Sequence, residues 1–543
     1  MIRSTFAGFT TAQLGMAASQ RALDVTGQNI ANINTIGYTR QRLDIASLNT
    51  RGGELYNQDN AIKVGFGVEM TGVSQLRDPF LDAQYRSQMS KLGTTDAQVA
   101  GFEQLTDIFD ETVVEGVRAA LISITTALDQ YGKQVGNQEF DTMVRSNMQI
   151  LLNLFHDNAT RLQDVRDNAG QGLKTTDVPD LNKLLENIAN LNRNIKNSHV
   201  LGNPALELMD ERNNLLDELS SYLPITTQYS EQEIGPGQSV EILDVVFTDT
   251  NGAKHYLVSD GDYGSFDTDI SPDSATLTLF DSKGNIGFDV TEILGDGTLK
   301  GTLDFLNKKG DFDGTDFKGV GYYEEALDSL VNVFANVFNN LNQQPRLQLD
   351  ANGDPLRDAD GKVIPELDGN GNLIFDPAPL FETTDGRVDG NGNPVFTASN
   401  IKIAEDWING THRLTTSTVL TADGTIGSSA NDNLLRMIDA LSSDQAFSAN
   451  GVQFFKGSFY NCFANIESTL GVDKKSGETT LKNRMAVLNE TSNSRDAISG
   501  VQLDEEGMNL MHYNQSYTAA ARLMTTLDEA LDTLINRTGV VGR

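Results

Sequence analysis

The feature that most constrains this chain is a heptad seam in residues 503–536, LDEEGMNLMHYNQSYTAAARLMTTLDEALDTLIN. Leu510, Tyr513, Tyr517, Ala520, Met524, Leu527, Leu531 and Leu534 recur at steps of three and four, the spacing that keeps one stripe of a helix turned toward a partner. Asp504, Glu505 and Glu506 fall in the first turn, where exposed N–H groups favour negative charge and a solvated helix start accounts for them, and Arg537 with Gly539 marks the end. Such a helix is about 50 Å long at about 1.5 Å per residue. A stripe this long predicts a partner.

The first thirty-odd residues supply one. Ile2, Thr5, Phe9, Ala12, Met16, Ser19, Leu23, Thr26, Ile30 and Ile33 follow the same spacing with smaller side chains. One helix leads into the body of the chain and the other leads out, so packing at one end of the body makes them antiparallel. Ala12, Ser19, Thr26 and Ala520 bury little area, too little to offset the entropy of ordering two helices. The pair is therefore expected to be ordered by neighbouring subunits, with folding and assembly coupled. Tyr513 and Tyr517 are expected in contacts with a neighbour, their hydroxyls reaching polar groups there.

Composition narrows the partners. The chain has 543 residues, 38% hydrophobic and 21% charged, which suits several core-forming domains. Its net charge of -34, from 41 basic and 75 acidic residues, argues against nucleic acid and anionic membrane, both of which demand clustered Lys and Arg. A single cysteine, Cys462, excludes an intrachain disulfide, and no stretch has the apolar length of a membrane span. The opening MIRSTFAGFTTAQLG is too polar for a cleaved secretory signal. Two readings fit: a cytoplasmic protein, or export by a route that needs neither cleaved signal nor disulfides.

Between the seams the period changes twice. Residues 97–222 read as helices, with Leu181, Leu184, Ile188, Leu191 and Ile195 on one face and a break at Gly202, Asn203 and Pro204. From Ile225 the pattern alternates, with turns at Asn251-Gly252 and Lys283-Gly284-Asn285, as in β-hairpins. Residues 347–400 carry turn clusters at Asn352-Gly353, Asp360-Gly361, Asp368-Gly369, Asp385-Gly386 and Asn391-Gly392 and read as a second hairpin insert. Residues 432–493 are expected to return to helix. The fold class is multidomain α + β: an assembly domain of 1–48 with 500–543, a helical bundle of 49–224, 300–346 and 400–499, an inserted β domain of 225–299, and a variable insert of 347–399.

Chemistry leaves few marks. The Asp/Asn/Gly loops at Asp350, Asp368 and Asp389 suggest calcium, but each lacks the glutamate that closes an EF-hand loop, so hairpin turns are the preferred reading. His156, His199, His255, His412 and His512 have no metal-ligand spacing. No P-loop, GxGxxG after a strand, GxSxG or HExxH occurs. No catalytic, cofactor or metal residue is assigned, and a structural, self-associating protein is favoured over an enzyme.

Residues 31–41, ANINTIGYTRQ, end the first helix with turn-formers. They resemble the signature of flagellar rod, hook and hook-associated proteins, in which Asn29, Asn32, Asn34, Thr35, Gly37 and Tyr38 match the N-terminal motif. Thr39-Arg40-Gln41, the segment RDPFLDAQYRSQMSKL at 77–92, the closing segment 499–534 and GTLKGTLDFLN at 297–307 together resemble the hook-associated protein 1 (FlgK) family. That resemblance implies an adaptor at the hook–filament junction, packed as a homo-oligomeric ring between the hook protein and a second junction protein. It also implies export without a cleaved signal, to the extracellular flagellum, with a chaperone on the C-terminal helix beforehand. Phe9, Met16, Leu23, Ile30 and Ile33 with the C-terminal seam would make the subunit contacts. A hook or distal-rod subunit shares the N-terminal motif and is the alternative; a secreted adhesin-like β protein would rest on the inserts alone.

Overall fold

A computed structural model describes residues 5–48, 65, 67–109, 116–235, 238–284, 286–312, 314, 316–350, 356–359, 364–369, 374–418 and 430–536. Its helices are α1 (Thr5–Ala31), α2 (Pro79–Phe109), α3 (Val117–Lys133), α4 (Gln138–Gly172), α5 (Val178–Val200), α6 (Leu206–Tyr222), α7 (Thr298–Asn307), α8 (Val320–Leu341), α9 (Glu405–Ile408), α10 (Asp432–Ser442), α11 (Phe459–Ser499) and α12 (Leu503–Asn536). The strands are β1 (Gln41–Ser47), β2 (Val68–Gln75), β3 (Ile225–Gly235), β4 (Gln238–Thr248), β5 (Lys254–Ser259), β6 (Asp262–Tyr263), β7 (Ser265–Ser271), β8 (Ser274–Phe280) and β9 (Gly287–Asp289). After them come β10 (Gln343–Pro345), β11 (Phe375–Pro377), β12 (Phe381–Thr383), β13 (Ile401–Ile403), β14 (Gln445–Ala449) and β15 (Val452–Gly457). All strand pairs are antiparallel, in sheets β3-β4-β5-β6 and β7-β8-β9 and four two-stranded hairpins or ribbons. The architecture is mixed α + β.

The chain goes out and returns along itself. α2 and α11 run antiparallel: Arg484 donates to the Lys91 carbonyl, and the Arg495 guanidinium lies 4.0 Å over the Tyr85 ring. Where they meet, small residues permit close approach. A Cβ at Gly477 would lie 2.9 Å from Val99 Cγ2, and one at Gly101 would lie 2.5 Å from the Phe305 ring on α7. Each helix is thereby set close against its neighbour.

Two cores result. One lies among α2, α3, α4, α8, α10 and α11, with Phe109, Phe155, Phe334, Phe338, Trp407 and Phe463 essentially solvent-free. The other joins Leu181, Leu185 and Ile188 of α5 to Leu243, Val245 and Phe247 of β4 and to Leu277 and Leu279 of β8. The expected β segment 225–299 therefore shares its core with the helices. Two local expectations change. Residues 432–493 are interrupted by the β14–β15 hairpin, whose turn is Asn450 (φ 51°) and Gly451 (φ 80°), the left-handed pair that a tight hairpin requires. The boundary expected at residue 48 falls within the β1–β2 hairpin.

One polar face of α8 holds the second insert. Asn332 Oδ1 accepts from the Phe396 amide; Asn339 Oδ1 accepts from Leu380 and Phe381; Asn342 donates to the Ala378 carbonyl and accepts from Thr415. Asp328 continues the row by accepting from the Ala398 amide at 2.7 Å. Burial raises the Asp328 pKa to about 6, an effect that the Ala398 bond only partly opposes. A folded-state value above the unfolded one means full stability below about pH 4, lost as pH rises through about 6. Asp328→Asn keeps the acceptor and removes the titration. It should be more stable than the parent by about 2 kcal/mol at pH 7–8, with the advantage gone near pH 4, in denaturant titrations at both pH values.

Candidate assembly interface

α1 and α12 pack antiparallel with heptad register. A Cβ at Gly8 would lie 3.1 Å from Leu527 Cδ1, and one at Gly15 would lie 3.8 Å from Ala520 Cβ. Seven residues forward on one helix is seven residues back on the other. The stripe of α1 that is buried consists of small residues: Ala12, Ala18, Ser19, Ala22, Val25 and Thr26. Phe9, Met16, Leu23 and Ile30 are half-buried, and Ile33 is exposed. On α12, Tyr513, Ala520, Met524, Leu527 and Leu531 are half-buried, whereas Leu510, Tyr517 and Leu534 are exposed. Ile2, Arg537 and Gly539 lie outside the described residues.

The turn after α1 is built by the motif residues. Asn29, 1% exposed, donates to the Gln41 carbonyl and accepts from the Gln41 amide and the Tyr38 hydroxyl. This single carboxamide splices the end of α1 to the start of β1. Asn32 donates to the Gln28 carbonyl and accepts from Thr35 Oγ1 at 3.1 Å. Gly37 has φ +77°, and a Cβ there would run into the Asn214 carboxamide on α6. Asn34 and Thr35 are exposed. Burial, reinforced by Asp210, Glu207 and Glu506, pushes the Tyr38 phenol up to about 12, so it remains a hydrogen-bond donor.

Beyond this turn is a charge network that reasoning from periodicity missed. Arg40 donates from Nε to Glu506 Oε1 at 2.7 Å and from Nη1 to Glu505 Oε2 at 2.5 Å, while its amide donates to the Ser499 carbonyl. Glu506 is 1% exposed. The two glutamates expected as a solvated helix start instead grip the other end of the chain. Thr39 donates twice to Asp210, Arg77 pairs with Asp82, Arg86 with Asp217, and Arg495 with Asp217. The sequence signal was present in the TRQ and RDPFLD segments, but nothing local gave their partners.

The histidines and turn loops hold no cluster of three or more potential metal ligands among the described residues. Asp389 Oδ1 accepts from the amides of Asn391 and Asn393, and Asp249 Oδ1 accepts from those of Asn251 and Ala253. Each carboxylate is occupied by its own turn. The turns at Asn352-Gly353 and Asp360-Gly361 lie outside the described residues. Neither Tyr513 nor Tyr517 hydroxyl finds a hydrogen bond among the described residues, and the Tyr513 ring packs edge-on against His512.

Two outcomes follow. Arg40→Met should lower the local opening free energy of the first turn of α12 by about 3 kcal/mol, read by hydrogen exchange, because it strands the buried Glu506 carboxylate. Arg40→Met with Glu506→Gln should recover most of that loss. Separately, calcium or a chelator should leave the unfolding midpoint unchanged; a calcium-dependent rise of several degrees would return the turns to the ion-binding reading.

Comparison with known proteins agrees with this geometry. Residues 102–358 match the family described as flagellar hook-associated protein FlgK helical domain, residues 9–39 match flagella basal body rod protein, and residues 495–537 match flagellar basal body rod FlgEFG protein C-terminal. The flagellar hook-associated protein 1 of Bacillus subtilis is 28% identical over 99% of this chain and 100% of its own length. That of Escherichia coli is 26% identical over 97% of this chain and 98% of its own. The fold is similar to the flagellar hook junction protein FlgK of Burkholderia pseudomallei, with a TM-score of 0.52, 12% identity, and coverage of 77% of this chain and all of that one. α12 and most of α1 fall within the two rod-protein matches, α3, α4, α5, α6, α7 and α8 fall within the third, and over nearly its whole length the chain is similar to flagellar hook-associated protein 1.

Proposed function

We propose that this chain is a structural adaptor of the bacterial flagellum, joining hook to filament and required for the filament to grow. The observation that carries the reading is the pair formed by α1 and α12. Its inner seam is lined by small residues, while Leu510, Met511, Leu523 and Ile535 stay exposed on α12. Large apolar side chains exposed around the rest of the helix call for cover by other subunits. The cover proposed is a homo-oligomeric ring, with hook protein on one side and a second junction protein on the other.

In this reading the residues act as a clamp and carry out no covalent chemistry. Phe9, Met16, Leu23, Ile30 and Ile33 with the α12 seam supply subunit contacts, and Asn29 to Tyr38 set the direction in which α1 leaves the body. Residues 1–48 with 500–543, extended by β2 where it pairs with β1, form the assembly domain; the helical segments and the two inserts, 225–299 and 347–399, face outward. No helix among the described residues is long and apolar enough to cross a membrane. Export without a cleaved signal, with a chaperone on the C-terminal helix, completes the proposal.

Two experiments test it. Deleting the gene should leave hooks without filaments and unpolymerised flagellin in the medium; missing hooks would instead make the chain a rod or hook subunit. Leu527→Asp should leave the circular dichroism of the middle domains intact and remove the protein from purified flagella. That mutant at normal levels in flagella would end the helix-pair assignment.

A further inference from the structure

Among the described residues, Arg212 is a buried cation beside the charge network that forms no ion pair. Where β2, α2, α6 and the β3–β4 sheet converge there is a cavity of about 630 Å³ whose wall includes Arg77, Arg86 and Arg212. Arg77 is paired with Asp82 and Arg86 with Asp217. Arg212 is only 3% exposed, yet it forms no ion pair among the described residues. Among the described residues its one hydrogen bond runs from Nη1 to Asn192 Oδ1 at 3.0 Å, and its buried Nε has no partner there. Burial holds its pKa below the ordinary value, and although Tyr229 and Glu241 work against that, Arg86 and Arg77 add to it.

Such a group is costly to a fold unless something answers it. The other acid on the cavity wall besides Asp82 is Glu241, which is exposed and forms no ion pair with Arg212. Val73, Leu206 and Met209 line the approach. A guanidinium with free N–H groups presents a planar fork that matches a pair of carboxylate oxygens, and the apolar approach suits a short aliphatic stem.

We propose that this cavity is an anion site that receives a carboxylate on a short apolar stem, with Arg212 as its bidentate anchor. Two sources share that chemistry: a free small carboxylate, and an Asp or Glu side chain of an adjoining subunit. With 75 acidic residues in each copy, a ring of such chains has carboxylates to offer. The first source is tested on the free protein and does not depend on the junction reading; the second rests on that reading.

The test begins with the wild-type full-length chain, its arginines labelled with nitrogen-15, titrated with sodium acetate in exchange for chloride at constant ionic strength. If the free source is right, one buried Arg Nε–Hε resonance moves saturably. That resonance is absent in Arg212→Lys, which keeps the charge and loses the fork, and acetate no longer raises the unfolding midpoint of that variant. If the subunit source is right, acetate does nothing, but Arg212→Lys and Arg212→Met are secreted at the wild-type level and drop at least tenfold in purified flagella. Wild-type behaviour in both arms would overturn the site. So would strong coupling between Arg212→Met and Glu241→Gln in a double-mutant cycle on the free protein, because the cation would then be neutralised within the chain.

Discussion

The bond between Arg40 and Glu506 closes the chain across 466 residues, and the placement of both long outer helices depends on it. Closing so large a loop is less costly than its length suggests, because loop entropy grows only logarithmically and the antiparallel α2–α11 pair has already brought the two ends together. Arg495 against Tyr85 and Asp217 ends that inner pair; the Arg40 amide on the Ser499 carbonyl begins the outer one. The outer helices are thus a second zipper built on the first. Their seam of Ala12, Ser19, Ala22 and Ala520 brings the backbones close but removes little apolar area from water. A pair positioned by charge and weakly held by packing is suited to finishing its order against neighbours.

Buried ion pairs of this kind fix geometry more reliably than they add stability, since desolvating two charges consumes most of what their attraction returns. The network joins α2, α6 and α11 through Asp82, Asp210 and Asp217, Thr39 ties the turn after α1 to Asp210, and Arg40 carries the link on to Glu505 and Glu506 of α12. An apolar contact at that crossing would tolerate many angles. Forked guanidinium bonds tolerate few. The direction in which the outer helices leave the body is therefore set by donors and acceptors, and Gly37, with no room for a Cβ beside Asn214, removes a further freedom.

How legible this was depended on range. The α12 seam could be read because its period is local, and the N–G turn of β4 and β5 because it needs two adjacent residues. The same two-residue signal at Asn450-Gly451 was masked by the apolar run Phe447, Phe454, Phe455 and Phe459, which fits a helix face as readily as a hairpin. Arg40, Arg77, Arg86 and Arg495 were illegible as a network because their partners lie 5 to 466 residues away with no period linking them. In the candidate interface the stripe was legible but not its depth: Phe9 and Met16 occupy seam positions, yet the surface against α12 is filled by alanines and hydroxyls.

The row Asp328, Asn332, Asn339 and Asn342 shows why composition misleads in the other direction. Polar residues on α8 at steps of four, seven and three read as a solvated face, but they are the backbone partners of residues 378–415. A segment without a sizeable core of its own needs its amides answered by something, and α8 supplies those acceptors at fixed spacing. Beyond that row, turns such as the one at Asp389 satisfy themselves through their own carboxylate. The insert is consequently rigid where it meets the helix and self-contained at this tip. Hairpins of that kind can be lengthened or exchanged at the outer surface without disturbing the row of acceptors on α8.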